Sequence, residues 1–130
     1  MNAEPTYPAE QMPAIRAVMM PRDTNALGTI FGGVILSQID LAAAIEAHKH
    51  WPHKVVTVAM DRIEFKQPVF VGDLVSFFTE TEQVGRSSIK VRVRVWAHRR
   101  FGGGEPSAVT EATVTMVAVD DEMRPVPIPR

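Results

Sequence analysis

A chain of 130 residues, 45% of them hydrophobic and 22% charged, has the size and composition of one soluble globular domain. Fourteen Lys and Arg against fifteen Asp and Glu leave a formal charge of -1. That argues against a nucleic-acid coat or a polybasic membrane binder, both of which need an excess of positive charge, and the lack of cysteine excludes disulfides, thiolate metal sites and a cysteine nucleophile.

The opening stretch, MNAEPTYPAE, carries two acids and no Lys or Arg before Arg16, which is the wrong order for a secretory signal. No apolar run approaches the ~20 residues needed to span a bilayer, so a cytoplasmic protein without membrane insertion is expected. Residues 1–13, with Pro5, Pro8 and Pro13, read as an extended or frayed arm preceding a single domain over 14–122. Ala14 to Met20 fits a short strand that Pro21 ends, and the run RDTNALGTIFGG over 22–33 has the Asp, Asn and Gly density of a shaped loop.

From Val34 to Ala47 ten of fourteen residues are apolar, and the segment predicts a helix from about Gly33 to His50, stopped by Pro52. At 1.5 Å per residue it would be about 25 Å long. Val34, Ile35, Leu36, Ile39, Leu41 and Ile45 point in most directions, as expected of a helix that the rest of the protein surrounds. Val55 to Val71, Leu74 to Val84, Ser87 to Trp96 and Ala108 to Val119 are rich in Val, Thr, Phe and Ile and are parted by Gly72-Asp73, Gly85 and Gly102-Gly103-Gly104, the pattern of four strands. In the third, Ile89, Val91, Val93 and Val95 alternate with Lys90, Arg92 and Arg94, which predicts a half-buried antiparallel strand. The Pro-rich tail over 123–130 cannot supply a regular ladder and should be extended. One sheet wide enough to wrap a helix still leaves an edge and part of the helix uncovered, so a second copy of the chain is the natural lid.

Asp40 stands out because it falls in the most apolar stretch, where an isolated carboxylate is costly unless bonded or open to water. It lies either on a solvated seam of the helix near Ser37 or in a cleft as a general base or nucleophile. Gly32 and Gly33 open the predicted helix. Their amides and the positive end of the helix dipole could form an oxyanion site, or the pair could simply permit a tight turn. No Gly-Lys-Ser/Thr follows, so this is not a phosphate loop. Asp40 is seven residues beyond Gly33, nearly on the same face but about 10 Å along the axis. A single carbonyl needs its donors and its attacking water at about 3 Å, so if both groups serve one reaction they come from different subunits. Asn25, in the loop before the glycines, could orient a water or a carbonyl, or act as a turn former.

His48, His50 and His53 do not have the i, i+3 or i, i+4 spacing of a metal pair on one helix face, and no metal site is expected. His98 stands among arginines as a surface residue. Arg86, Lys90, Arg92, Arg94, Arg99 and Arg100 line one strand and its ends, either as a solvated outer face or, for two or three of them, as contacts to the phosphates of a nucleotide-bearing ligand with Ser87 and Ser88 on the approach.

Taken together, PRDTNALGTIFGGVILSQID, VVTVAMDRIEFKQPVFVGDLV and VGRSSIKVRVRVWAHRR resemble the hotdog-fold acyl-CoA thioesterases, specifically the YciA-like acyl-CoA hydrolases, from about Met19 to Val126. The resemblance implies an α+β hotdog fold, a long central helix wrapped by a curved antiparallel sheet, assembled as dimers and then as a trimer of dimers, a homohexamer. It implies hydrolysis of acyl-CoA to a carboxylic acid and CoA, with no cofactor. It also implies catalytic roles for Asp40 and Asn25 and a thioester-binding role for Gly32 and Gly33. Arg86, Ser87, Ser88, Arg99 and Arg100 are the candidates for CoA contacts. Phe31 stands where many members carry histidine, although the bacterial branch commonly has phenylalanine there. A non-catalytic acyl-CoA binding or sensing protein on the same fold is the rival expectation.

Overall fold

The computed structural model describes residues 5–130. Five strands, β1 (Ile15–Val18), β2 (Val55–Asp61), β3 (Leu74–Val84), β4 (Ser88–His98) and β5 (Ser107–Ala118), form one antiparallel sheet in the order β1-β3-β4-β5-β2. A single helix, α1 (Gly32–Ala47), packs on one face of that curled sheet. The α+β hotdog architecture expected from the sequence is therefore the one observed.

The period-2 pattern of β4 explains how the sheet is filled. Ile89, Val91, Val93 and Val95 are fully buried against the helix, as are Val75 and Phe77 of β3 and Val109 and Val114 of β5. On the opposite face Arg92 lies 3.5–3.6 Å from Glu80, Glu82 and Glu111. Arg94 meets Glu80 at 3.4 Å and Glu111 at 3.8 Å. Arg92 and Arg94 are thus neutralised across neighbouring strands, the ordinary outer face of a sheet. Tyr7 also lies on that face, edge-on to Phe78 and Trp96 at centroid distances of 5.5 and 5.4 Å and to His98 at 5.2 Å.

Three expectations need correction. The strand predicted over 55–71 stops at Asp61, because Arg62 takes a left-handed conformation (φ 61°) that turns the chain out of the pleat. The residues beyond it have β-like composition but no partner strand. Instead Lys66 N–H donates to Val109 O at 2.8 Å and Ile30 N–H donates to Val69 O at 2.8 Å, so the segment runs from the sheet to the start of α1. The helix, predicted to reach His50, ends at Ala47. The amides of Lys49 and His50 bond to Glu46 and Ala47, tightening its last turn. Nor is the helix surrounded within one chain. Ile35, Ile39, Ala42, Ala43, Glu46 and Ala47 face the sheet, whereas Leu41 is 55% and Ile45 46% exposed on the far side. A single sheet covers only one side of a helix. The tail turns at Met123 (φ 66°), and Val126 and Ile128, the residues between its prolines, then donate to Ala118 O at 2.9 Å and Arg86 O at 2.8 Å. No helix among the described residues is long and apolar enough to cross a membrane.

Glu46 is an acid the sequence reading passed over. It is 5% exposed beneath the sheet and accepts from Thr79 Oγ1 at 2.9 Å, Thr81 Oγ1 at 2.7 Å and Lys49 Nζ at 2.9 Å. Thr81, having given its proton to Glu46, accepts from His50 Nε2 at 2.8 Å. Burial pushes the Glu46 carboxyl up, but the donors from Lys49, Thr81 and Thr79 together outweigh it and hold it below its ordinary value of 4.5. A depressed folded value means the native state binds the proton less readily than the unfolded chain. The stabilisation is then complete above about pH 4.5 and is lost as pH falls through the lower folded value. Thermal unfolding followed from pH 7 to 3 should show wild-type protein losing stability in the acid range, and Glu46→Gln, less stable at pH 7, should show a shallower acid loss.

Candidate active site

The loop before α1 is built around Asn25. Its Oδ1 accepts from the amides of Leu27 at 2.8 Å and Thr29 at 3.3 Å, and its Nδ2 donates to Thr29 Oγ1 at 3.0 Å. Gly28, at φ +86°, makes the return possible. Phe31 follows in extended conformation and caps the helix without a side-chain bond. Gly32 and Gly33 are therefore the first two helical residues, whose amides have no partner inside the helix. Neither amide is hydrogen-bonded to an acceptor among the described residues. The Phe31 ring lies over Gly33, where an added Cβ would come within 2.5 Å of it, and Phe65 lies beside Gly32 at 3.7 Å from an added Cβ. A cavity of about 280 Å³ opens here, lined by Thr29, Ile30, Gly32, Ile35, Phe65 and Val69 among others. Gly32 lines this cavity and Gly33 follows it in the helix, and unpaired amides at the positive end of a helix can bind the oxygen of a polarised carbonyl.

Asp40 lies two turns further along the same helix, half-buried at its flank. Its Oδ1 accepts a 2.5 Å hydrogen bond from Thr57 Oγ1 on β2. Ser37 is not its partner, since that hydroxyl donates to Val34 O at 2.8 Å within the helix. Eight residues along α1 set Asp40 about 12 Å from Gly32. One chain therefore holds the carboxylate and the amides but does not bring them together, and Asn25 spends its carboxamide on its own loop.

The candidates for nucleotide contacts fall into two groups. Arg86, Ser87 and Ser88 sit at the β3–β4 hairpin, where the backbone carbonyls of Arg86 and Ser87 accept from Ile128 and Ala118. Arg99 and Arg100 follow the other end of β4, about 35 Å away at 3.4 Å per strand residue. Arg99 donates to Asp73 Oδ2 at 2.7 Å and stacks over Phe70 at 4.7 Å. Asp73 is 2% exposed and also accepts from Phe70 N–H at 2.9 Å, closing the turn at Gly72. Removing the guanidinium leaves a buried carboxylate without its cation, so Arg99→Ala should lower stability in denaturant unfolding by about 3 kcal/mol. His50 is held by Thr81, and His53 packs edge-on against Trp51 at 4.8 Å. Thr57, Phe65 and Glu46 were missed by sequence reasoning. Alternation from Val55 gives Thr57 the inner parity of its strand, although it is exposed in the single chain, and nothing in the sequence pairs it with Asp40.

A curled antiparallel sheet around one helix, with glycines at the helix start and a carboxylate further along it, is the arrangement of a hotdog-fold domain. Residues 27–100 match the family model described as the thioesterase superfamily. The chain is 38% identical over 117 residues to the acyl-CoA thioester hydrolase YciA of Escherichia coli, covering 88% of this chain and 89% of that one. Among solved structures it is similar to a hexameric hotdog-fold thioesterase of Campylobacter jejuni, with 47% identity, 90% coverage of each chain and a TM-score of 0.86. It is also similar to a hexameric broad-specificity acyl-coenzyme A thioesterase, with 45% identity, 91% and 81% coverage and a TM-score of 0.85. The chain belongs to the thioesterase superfamily, among its hotdog-fold, YciA-like acyl-CoA thioester hydrolases.

Proposed function

We propose that the protein hydrolyses acyl-CoA thioesters to the free carboxylic acid and CoA, in a site shared between two copies of the chain. The observation that carries this reading is the pair of unpaired amides at Gly32 and Gly33 beside an open cavity, with the only carboxylate of α1's middle turns, Asp40, about 10 Å further along the helix. A partner helix running alongside would supply its Asp40 to these amides, and theirs to its own. The exposed Leu41 and Ile45 and the unpaired edge of β2 are the surfaces such a partner would cover. The similar solved structures are hexamers, and a trimer of such dimers is the assembly that goes with the reading, as does a cytoplasmic location, where CoA thioesters are made and used.

In the reaction, Asp40 takes a proton from water and the oxygen adds to the thioester carbon. The carbonyl oxygen becomes an oxyanion held by the Gly32 and Gly33 amides of the partner, each donor contributing roughly 3 kcal/mol. Collapse breaks the carbon–sulfur bond, CoA leaves as thiolate, and the proton on Asp40 passes to the leaving sulfur. A thiolate leaves readily, so no histidine acid is needed, and no metal or organic cofactor takes part. Asn25 serves by shaping the loop that delivers the glycines. Of the basic residues, Arg86 with Ser87 and Ser88, and Arg100, remain the candidates for CoA phosphates, while Arg99 is committed to Asp73.

The test is incubation with acyl-CoAs of graded chain length while thiol release is followed. Release of CoA with saturation kinetics supports the enzyme. Tight acyl-CoA binding with no thiol release from any ester would support the non-catalytic sensor instead.

A further inference from the structure

The turn between β3 and β4 is tight. Gly85 N–H donates to Ser88 O at 2.8 Å, and a Cβ on Gly85 would come within 2.5 Å of Ser88 Oγ. The four successive carbonyls of residues 84–87 are all held by later parts of the chain. Val84 O and Gly85 O accept from the Arg130 guanidinium, Nη1 at 3.2 Å and Nη2 at 3.0 Å. Arg86 O accepts from Ile128 N–H at 2.8 Å and Ser87 O from Ala118 N–H at 2.8 Å. Arg86 is left exposed and Ser87 and Ser88 half-buried at the surface. The segment that supplies these donors is itself fixed. Asp120 Oδ1 turns the chain back by accepting from the amides of Glu122 at 2.9 Å and Arg124 at 3.0 Å. Ile128 then enters the core at 5% exposure, and Pro125, Pro127 and Pro129 lock their own φ angles. Arg130 thus arrives on a stiff, anchored segment, and its planar fork can span two neighbouring carbonyls, which a lysine ammonium cannot match.

We propose that Arg130 is a positioning residue for nucleotide binding: its fork fixes the carbonyls of Val84 and Gly85 so that the turn presents Arg86, Ser87 and Ser88 to the phosphates of CoA in one conformation. This rests on the reading of that turn as a CoA contact. Arg130 acts through the backbone of the turn and touches neither the thioester nor the phosphates. Two competing roles make different predictions. A charge acting directly on the phosphates would be replaced by lysine, and a purely structural tie would treat substrates with and without a nucleotide alike.

The experiment compares wild type, Arg130→Met, Arg130→Lys and Arg86→Met. Thiol release is followed from an acyl-CoA and from the S-acyl-pantetheine carrying the same acyl group, which lacks the nucleotide, and the Kd for CoA and the unfolding midpoint are measured in parallel. Arg130→Met is expected to raise KM for the acyl-CoA and Kd for CoA about fivefold, the effect of loosening one or two hydrogen bonds. Its kcat should stay within about twofold, as expected for binding that does not change between ground and transition state. KM for the pantetheine ester should stay within about twofold of wild type, and Arg130→Lys should behave as Arg130→Met does. Wild-type CoA affinity in Arg130→Met, an equal rise in KM for both esters, or full rescue by lysine would overturn the positioning role. Arg86→Met with wild-type affinity for CoA would instead remove the turn from CoA binding, and the proposal with it. Weakened binding in Arg86→Met beside unchanged binding in Arg130→Met would sink the proposal and leave that reading standing, so the two failures are distinguishable.

Discussion

Asp40→Asn is expected to lower kcat for acyl-CoA hydrolysis by about 10³-fold, within the range spanned by loss of a general base. The substitution is a fair test because it changes so little else. An asparagine carbonyl can still accept from Thr57, the side chain keeps its volume, and the position is half-buried at the flank of α1 rather than packed in the core. Stability should therefore hold and KM should change little, as expected when a group works on the reacting water and not on the rest of the substrate. Activity within tenfold of wild type would mean that another residue takes the proton.

Gly32→Pro should lower kcat by about 10²-fold, the cost of deleting one oxyanion donor. Proline removes the amide hydrogen outright, and this position tolerates it unusually well. Gly32 is the first residue of α1, where the amide has no helical partner and proline's fixed φ suits the helix. The residue before a proline must be extended, and Phe31 already is, at φ -61° and ψ 129°. The added Cβ would meet only Phe65, at an ordinary 3.7 Å. A folded Gly32→Pro protein with unchanged kcat would exclude this amide from the oxyanion site.

The period of hydrophobic residues made most of the fold legible. β4 could be read directly because Ile89, Val91, Val93 and Val95 alternate with cations, and the helix because Leu and Ala are dense between Gly33 and Ala47. The end of β2 was not legible. Residues 62–71 have strand composition but no neighbour to pair with, and pairing is a property of the sheet. Asp40 was conspicuous as the acid in an apolar run, and its distance from the glycines already pointed to two subunits. Thr57 and Glu46 were hidden for a common reason. Each is an unremarkable polar residue whose meaning lies in a partner 17 to 35 positions away, Asp40 for one, Thr79 and Thr81 for the other. Arg99 shows the converse: a cation at a strand end looks like a ligand contact until the buried Asp73 beneath it is seen.

The central claim is that each site takes its carboxylate from one protomer and its amides from the other. Asp40→Asn and Gly32→Pro chains, each nearly inactive alone, should complement when co-expressed in equal amounts. Random pairing makes half the dimers hybrid, and each hybrid holds one site with both groups intact, so the mixture should recover about a quarter of wild-type kcat. If the mixture stays as slow as the separate variants although hybrids are present, each site is built within a single chain and the account is wrong.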